Sequence, residues 1–260
     1  MHASEREEQI LKLVNDHGFL SFQDLDRTFN ASPATLRRDL GRLAETGKLR
    51  RVRGGARSLN EQGAAQFGSA HLAGTPFSAN AAMHHNEKQA IGRAAAALCA
   101  RGEGVMIDGG STTLQMCDHL ADLGLQVLTN SLHIVLTLLS QEGTTVLVPS
   151  GTVFREQNII LAAKGEDSMP RFHAPKLFMG AAAIGLVGLM QADSILVAAE
   201  RGLIERAEKV IVLVDSSKFR NSSGAVVCSL EDIDIVITDH GIRPEEEQML
   251  VRAGVEVIKA

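Results

Sequence analysis

The chain has 260 residues, of which 45% are hydrophobic and 22% charged, a composition typical of a soluble globular protein. Its length leaves room for one large domain, or for a small domain and a medium one. It contains no run of about 18 apolar residues and no apolar secretion signal near its charged N-terminus, so we predict a cytoplasmic protein without a membrane span. The three cysteines lie far apart and the nine histidines lack metal-ligand spacing. We therefore expect no disulfide, no metal and no cofactor.

Positive charge is concentrated in one short stretch near the N-terminus. The whole chain carries a net charge of -5, which argues against nonspecific binding of polyanions by the molecule as a whole. Residues 37–57, however, contain eight basic and two acidic side chains, a local charge of +6. A charge run of this kind is usually only a solvated face. Its position on the motif described next favours a nucleic-acid-binding surface instead.

Residues 1–57 are predicted to form a small domain of three helices and a two-stranded wing. Helical spacing of apolar residues ends at Gly18, and Ser21 is a suitable N-cap for a second helix. Ser32 followed by Pro33 has the chemistry of a third helix start, where the missing N–H of proline costs nothing. The predicted helices cover 5–17, 21–29 and 32–46, and the predicted wing covers 48–57.

The second and third helices fit the helix-turn-helix plan, in which the second helix of the unit enters the major groove of DNA. Ala34 and Thr35 are small enough for a close approach, and Arg37 and Arg38 can reach guanine edges or phosphates. Asp39 is expected to pair with a neighbouring basic residue. The alternative is an ordinary amphipathic helix with a basic face. The predicted DNA-contacting residues are Ser32, Ala34, Thr35, Arg37, Arg38, Arg42, Arg51 and Arg53.

The rest of the chain is predicted to be a linker followed by an α/β domain. Residues 58–80 are small, polar and rich in glycine, which is typical of a linker. Over residues 81–260 short apolar strands alternate with helices, and this alternation predicts a mainly parallel sheet covered on both faces. The predicted strands are 105–108, 126–129, 145–149, 176–179, 209–214, 233–238 and 255–258, and the clearest helices between them are 87–100, 132–139, 192–207 and 245–253.

The segment D-G-G-S-T-T at 108–113 is a candidate anion site. It lies where a strand ends and a helix begins, so successive N–H groups and hydroxyls can face one ligand at the edge where open α/β sheets bind ligands. The segment matches neither common nucleotide-binding glycine motif. A capping turn without a ligand is the alternative.

Two further strand ends carry polar residues of the same kind. Asn130 follows one strand and opens a helix, while Asp215 and Lys218 follow another. Lys218 could supply a cation for a phosphate or for Asp108. Each of these could be turn chemistry alone, since Asn, Asp and Ser are favoured in turns. Three such ends in one parallel sheet favour a shared pocket.

These motifs together resemble the DeoR/GlpR family of sugar-metabolism repressors. The resemblance spans most of the chain and is carried by S-P-A-T-L-R-R-D-L at 32–40, the L-x-E-x-G-x-L-x-R-V-R-G-G-A pattern at 43–56, and D-G-G-S-T-T, T-N-S, P-S-G-T, F-M-G-A and V-D-S-S-K-F at 108–113, 129–131, 149–152, 178–181 and 214–219. It implies a winged helix-turn-helix joined to a sensor domain that is similar to sugar-phosphate isomerases and binds a phosphorylated sugar without transforming it. The effector-binding residues predicted are Asp108, Gly109, Gly110, Ser111, Thr112, Thr113, Asn130, Gly151, Asp215 and Lys218.

Two functions follow from this reading. The first is a homo-oligomeric repressor, dimer or tetramer, that binds double-stranded operator DNA of a carbohydrate operon and responds to a phosphorylated sugar. The alternative is a sugar-phosphate isomerase carrying a DNA-binding domain. Isomerisation needs a base beside the sugar carbon. Asp108 and Asp215 are possible bases, but we find no acidic residue in a Gly-rich Lys/Glu segment of the kind that such isomerases tend to carry. Glu200 is the nearest candidate for that residue, and it is predicted to lie on a helix surface. The sequence therefore favours the repressor, with domains at 1–57 and 81–260.

Overall fold

The computed structural model describes residues 3–17, 19–22, 25, 28–29, 31–52, 55–58, 72, 75–161 and 169–260. These residues belong to two compact units, Met1–Ala70 and His71–Ala260. Within the described ranges no helix combines the length and the apolarity that a membrane crossing requires.

The N-terminal unit packs two described helices against a small antiparallel sheet. Its core contains side chains from both helices and from the sheet, among them Ile10, Val14, Leu36, Leu40 and Leu49. The helices are α1 (Ala3–His17) and α2 (Pro33–Glu45), and the strands are β1 (Phe19–Ser21), β2 (Leu49–Val52) and β3 (Gly55–Ser58), in the order β1-β3-β2. The winged helix-turn-helix architecture that the sequence predicts is confirmed.

Two details of this unit bear on the sequence predictions. Helix α2 begins as predicted, since the Ser32 side chain accepts a hydrogen bond from the Thr35 N–H over 3.2 Å and Pro33 occupies the first turn. The sheet has a third strand that was not predicted, because Phe19–Ser21 pairs with 55–57. Ser21 therefore belongs to β1. Four of the nine residues of the predicted helix 21–29 lie outside the described residues, and of the other five Phe22, Leu25 and Thr28 are helical.

The C-terminal unit is built on a seven-stranded sheet. Its strands are β4 (Gly104–Ile107), β5 (Gln126–Leu128), β6 (Thr145–Leu147), β9 (Ala174–Met179), β12 (Ala207–Leu213), β14 (Ile235–Thr238) and β15 (Glu256–Lys259). Every neighbouring pair is parallel, in the order β15-β14-β12-β9-β4-β5-β6. The helices are α3 (Phe77–Ala82), α4 (His85–Ala96), α5 (Thr113–Met116), α6 (Leu132–Leu138), α7 (Ser194–Ile204) and α8 (Pro244–Arg252). The predicted α/β class is confirmed.

Both faces of this sheet are buried. Successive side chains of a strand point to opposite faces, so Met106 packs into one apolar cluster while Val105 and Ile107 pack into the other. The strands consequently read as continuous apolar runs, which is why the sequence identified them.

Several smaller elements were not predicted. They include the hairpin β7 (Thr152–Phe154) and β8 (Ile159–Leu161), and an antiparallel sheet of β10 (Ala183–Gly185), β11 (Gly188–Gln191) and β13 (Ala225–Cys228). The predicted linker 58–80 lies mostly outside the described residues, but Ser58 belongs to β3 and Phe77 begins α3. Phe77 is fixed because its ring stacks on His133, with centroids 4.1 Å apart. The predicted domain boundaries stay a prediction.

Candidate functional sites

One face of helix α2 carries several of the residues predicted to contact DNA. Ala34, Arg37 and Arg38 are exposed and Thr35 is half-buried, whereas the leucines of the opposite face lie in the core. The Arg37 guanidinium lies over the Phe22 ring, 5.0 Å from its centroid, which limits the freedom of this side chain. Ser32, also exposed, caps the helix.

An ion-pair cluster around the buried Asp39 holds α2 against α1. Asp39 is completely buried and accepts hydrogen bonds over 2.6 Å from Arg6 Nε and over 2.6 Å from Arg42 Nη2. Arg42 also lies 2.8 Å from Glu7 Oε1. The expected pairing of Asp39 with a basic neighbour is confirmed, while contact between Arg42 and DNA stays a prediction. Of the predicted wing residues, the side chain of Arg51 and all of Arg53 lie outside the described part of the chain.

The C-terminal unit contains a cleft of about 300 Å³ at the carboxyl ends of β4, β9 and β12. This volume is at the lower end of the range for small-molecule sites. Six residues predicted to bind an effector line it: Asp108, Gly109, Gly110, Ser111, Thr112 and Lys218. The sequence did not identify several others, notably Thr75, Asn80, Gln157, Gln191, Glu200 and Ser223.

The loop after β4 is shaped by hydrogen bonds from residues behind the cleft. The N–H of Gly109 donates to Asn130 Oδ1 over 2.8 Å, and the Thr113 hydroxyl donates to the Asp108 carbonyl over 2.7 Å. A Cβ on Gly109 would lie 2.7 Å from Ile159 Cγ2, so the backbone can take this path only with glycine. Asn130 and Thr113 are absent from the cleft lining and hold the loop that forms it.

This loop presents hydrogen-bond donors to the cleft. No acceptor in the described ranges takes a hydrogen bond from the N–H groups of Gly110, Ser111 and Thr112. The side chains of Ser111 and Thr112 are buried, and Lys218 is half-buried in the same lining. Successive free amides beside a lysine form an arrangement that can bind an anion with several oxygens.

Besides Thr113 and Asn130, two further predicted effector residues lie outside the cleft lining, Asp215 and Gly151. Asp215 is buried and caps the 3₁₀ turn Ser216–Arg220 by accepting from the Ser217 N–H over 3.1 Å, which places Lys218 on that turn. Gly151 is exposed in the turn between β6 and β7. Effector binding by either residue stays a prediction.

Lys88 is a buried residue that the sequence analysis did not single out. Its Nζ donates to the Asn80 carbonyl, and Asn80 lines the cleft. Burial lowers the pKa of Lys88, the charge of Asp215 raises it, and Lys218 lowers it further. Lys88 therefore contacts α3 through Asn80 and interacts electrostatically with Asp215 and Lys218, in and beside the 3₁₀ turn.

The cleft also contains two buried carboxyl groups. Burial raises the pKa of Asp108 to about 6, although hydrogen bonds from Asn130 and Gly109 oppose the shift. The pKa of Glu200 is raised well above its usual value by burial and then by the charge of Asp108. The prediction that Glu200 lies on the helix surface is wrong. It is 3% exposed, because α7 turns the face that contains Val197, Glu200 and Leu203 towards the protein interior.

Comparisons with known proteins match both units. Residues 6–62 match the DeoR-like helix-turn-helix domain, and residues 83–240 match the DeoR C-terminal sensor domain. The chain belongs to the DeoR family. The HTH-type transcriptional regulator UlaR of Shigella dysenteriae is 31% identical over 260 residues, covering 100% of both chains, and UlaR of Escherichia coli strain SMS-3-5 is equally similar. This DeoR-family chain is thus a DNA-binding transcriptional regulator, which rules against the isomerase alternative.

Several solved structures match the chain weakly, and one of these matches covers most of its length. The sorbitol operon regulator SorC from Klebsiella pneumoniae covers 94% of this chain and 98% of its own, at 11% identity and a TM-score of 0.41.

Within the described residues of this DeoR-family chain, no group of three His, Cys, Asp or Glu side chains is arranged to hold a metal ion.

Proposed function

We propose that this regulator represses a carbohydrate-utilisation operon and that a phosphorylated sugar, bound in the cleft, changes its affinity for operator DNA. The observation that carries the proposal is the row of free amides at Gly110, Ser111 and Thr112 beside Lys218. A phosphate monoester has enough oxygens to accept hydrogen bonds from several of these groups at once, and Lys218 would offset its charge.

The remaining cleft residues fit the sugar part of such a ligand. Asp108, Gln191 and Glu200 carry both acceptors and donors, which are the groups that recognise hydroxyls. Leu196 and Ile159 add apolar surface for the carbon skeleton. The cleft therefore combines an anion-binding loop with side chains suited to a polyol.

The effect of ligand binding can pass to the DNA-binding unit through residues 75–80, near the start of the C-terminal unit. Thr75 and Asn80 line the cleft, and their chain continues N-terminally towards the DNA-binding unit. The segment is held by the Gln157 side chain, which donates to the Thr75 carbonyl over 2.8 Å, and by Lys88 on Asn80. A ligand that contacts this segment can favour one conformation of the segment over another. The resulting change in DNA affinity is limited by the difference between the ligand's affinities for the two conformations.

On the DNA side, we propose that α2 enters the major groove and that Arg37 and Arg38 contact bases or phosphates. Readers of this kind bind paired half-sites, which is the reason for expecting a dimer or tetramer acting on cytoplasmic DNA. Sedimentation of the full chain measures its oligomeric state directly.

Thermal unfolding of the full chain with a panel of pentose and hexose monophosphates tests the effector class. The proposal expects at least one monophosphate to raise the unfolding temperature while its unphosphorylated sugar does not, because a ligand specific to the folded state stabilises it by mass action. Equal effects of both members of every pair would contradict the proposal.

A further inference from the structure

Glu200 lines the cleft and has one carboxyl oxygen that is buried without a hydrogen-bond partner among the described residues. It lies in the middle of α7 and is 3% exposed. Its Oε1 accepts a hydrogen bond from Gln191 Nε2 over 2.6 Å, whereas its Oε2 is buried and meets no partner in the part of the chain that the structure describes. Gln191 lines the same cleft, and its carbonyl accepts a hydrogen bond from the Ser223 hydroxyl.

An unpaired polar atom at a buried position is costly unless something else satisfies it. The α7 face that carries Glu200 is otherwise apolar, with Val197 and Leu203 buried three residues away on either side. A leucine would suit this face for packing alone. The carboxyl group therefore needs a different explanation, and its place in the cleft lining supplies one.

Resting on the proposed function, we infer that Glu200 is the residue that binds the sugar part of the effector, with Oε2 donating a hydrogen bond to an uncharged ligand oxygen. The ligand class that fits is a sugar monophosphate whose non-phosphorylated part carries hydroxyl or carbonyl oxygens and no second charge. The amides of Gly110–Thr112 would hold the phosphate, and Glu200 would distinguish one sugar from another.

The hydrogen bond from Gln191 determines which oxygen carries the proton. Burial and the charge of Asp108 both raise the pKa of Glu200 and so favour the neutral acid. In a neutral carboxyl group the carbonyl oxygen is the better acceptor, and Oε1 already accepts from Gln191. The proton then resides on Oε2, where it is available as a donor. A ligand with a second phosphate would bring another negative charge towards Asp108 and is disfavoured.

Two variants of Glu200 separate this role from packing. Glu200→Gln keeps an acceptor for Gln191 and an N–H donor in place of the Oε2 proton. Glu200→Leu keeps a similar volume and removes both. The matched control is Glu205→Leu, which removes an exposed carboxyl at the end of the same helix. Calorimetry of the full chain would measure affinities for inorganic phosphate, ribose 5-phosphate, glucose 6-phosphate and fructose 1,6-bisphosphate.

We expect Glu200→Gln to bind the preferred monophosphate within about threefold of wild type, and Glu200→Leu to bind it at least roughly tenfold more weakly. Inorganic phosphate should bind all variants alike, and thermal unfolding without ligand should show that Glu200→Leu remains folded. Equal monophosphate affinity in wild type and Glu200→Leu would overturn the inference and leave the proposed function intact. Equal weakening by Gln and Leu would also overturn it, since a charged carboxylate would then be required. Absence of monophosphate binding to wild type would overturn both.

Discussion

Asn130 donates a hydrogen bond from Nδ2 to Asp108 Oδ1 over 2.8 Å. The bond joins the residues that follow two adjacent parallel strands, β4 and β5, and the same Asn130 side chain accepts from the Gly109 N–H. One buried amide therefore fixes both the Asp108 carboxyl group and the backbone of the loop after β4. The cleft depends on this residue although Asn130 does not line it.

Asn130→Ala should consequently weaken both folding and ligand binding. The substitution leaves the Gly109 N–H and the buried Asp108 carboxyl without this partner, and we expect the free energy of unfolding to fall by about 1–3 kcal/mol. Calorimetry should show weaker binding of inorganic phosphate because the loop is no longer held. Gln126→Ala, at an exposed position on β5, is the control and should change neither quantity. Normal phosphate affinity in Asn130→Ala would show that the loop holds its shape unaided.

The raised pKa of Asp108 predicts how stability depends on pH. The folded chain favours the protonated carboxyl more than the unfolded chain does, with a pKa of about 6 against an ordinary value of 3.8. Protonated Asp108 therefore contributes its full stabilisation of the folded chain below about pH 4, and this contribution is lost as the pH rises through 6. Asp108→Asn removes this loss while keeping an oxygen that can accept from Asn130.

The comparison is best made in a Glu200→Gln background, so that Glu200 does not titrate. Between pH 4.5 and pH 8, Asp108→Asn should gain about 2 kcal/mol relative to the parent, as measured by urea unfolding of the ligand-free chain. Asp118→Asn, at an exposed position, should follow the parent at every pH. A stability difference between Asp108→Asn and its parent that does not change with pH would contradict the assignment.

The proposed contact between α2 and DNA can be tested at two exposed arginines. Arg37→Ala and Arg38→Ala should each weaken binding to a duplex selected from a random library by about 1–3 kcal/mol if the arginine reads a base. Arg53→Ala, in the predicted wing, should weaken binding more evenly across sequences. Arg101→Ala, exposed in the other unit, is the control for loss of one positive charge. Unchanged affinity in both helix variants at a fixed salt concentration would refute the role of α2.

Asp39 should matter for folding of the N-terminal unit. Asp39→Ala leaves Arg6, which is 11% exposed at its side chain, without its buried partner, and we expect a loss of about 3 kcal/mol in the stability of this unit. Hydrogen exchange of the full chain can follow the amides of α1 and α2 separately from those of the large sheet. Glu45→Ala, exposed at the end of α2, is the control. Undiminished protection of α1 and α2 in Asp39→Ala would show that the ion pairs are dispensable.

The sequence predicted those parts of the fold and of the site that depend on local signals. The N-cap at Ser32 is chemistry between residues close in the chain, and the strands of the large sheet are continuous apolar runs. The Asp108–Thr112 loop was found because glycines and hydroxyl residues follow such a run. Hairpin β7–β8 and strands β10, β11 and β13 are short and depend on tertiary pairing, so the chain alone did not identify them.

Glu200 and Lys88 show what was missed and why. Both are charged residues that share a helical face with buried apolar residues: Glu200 with Val197 and Leu203, and Lys88 with Ile91. That spacing was readable in the sequence and points inward, against the usual preference of charge for solvent. Whether such a side chain reaches a cleft depends on how its helix packs on the sheet, and the sequence near the residue does not contain this information.

We propose that a sugar phosphate held by the cleft controls DNA binding. A titration of the protein–DNA complex tests this control most directly. The complex of the full chain with its selected duplex would be titrated with the monophosphate that binds wild type most tightly. Lys218→Ala would be compared with wild type and with Lys209→Ala, an exposed lysine outside the cleft lining. We predict that Lys218→Ala binds the duplex normally but needs at least about tenfold more ligand for the same change in DNA affinity, since a charge-assisted contact is lost. The same ligand dependence in wild type and Lys218→Ala would contradict the account.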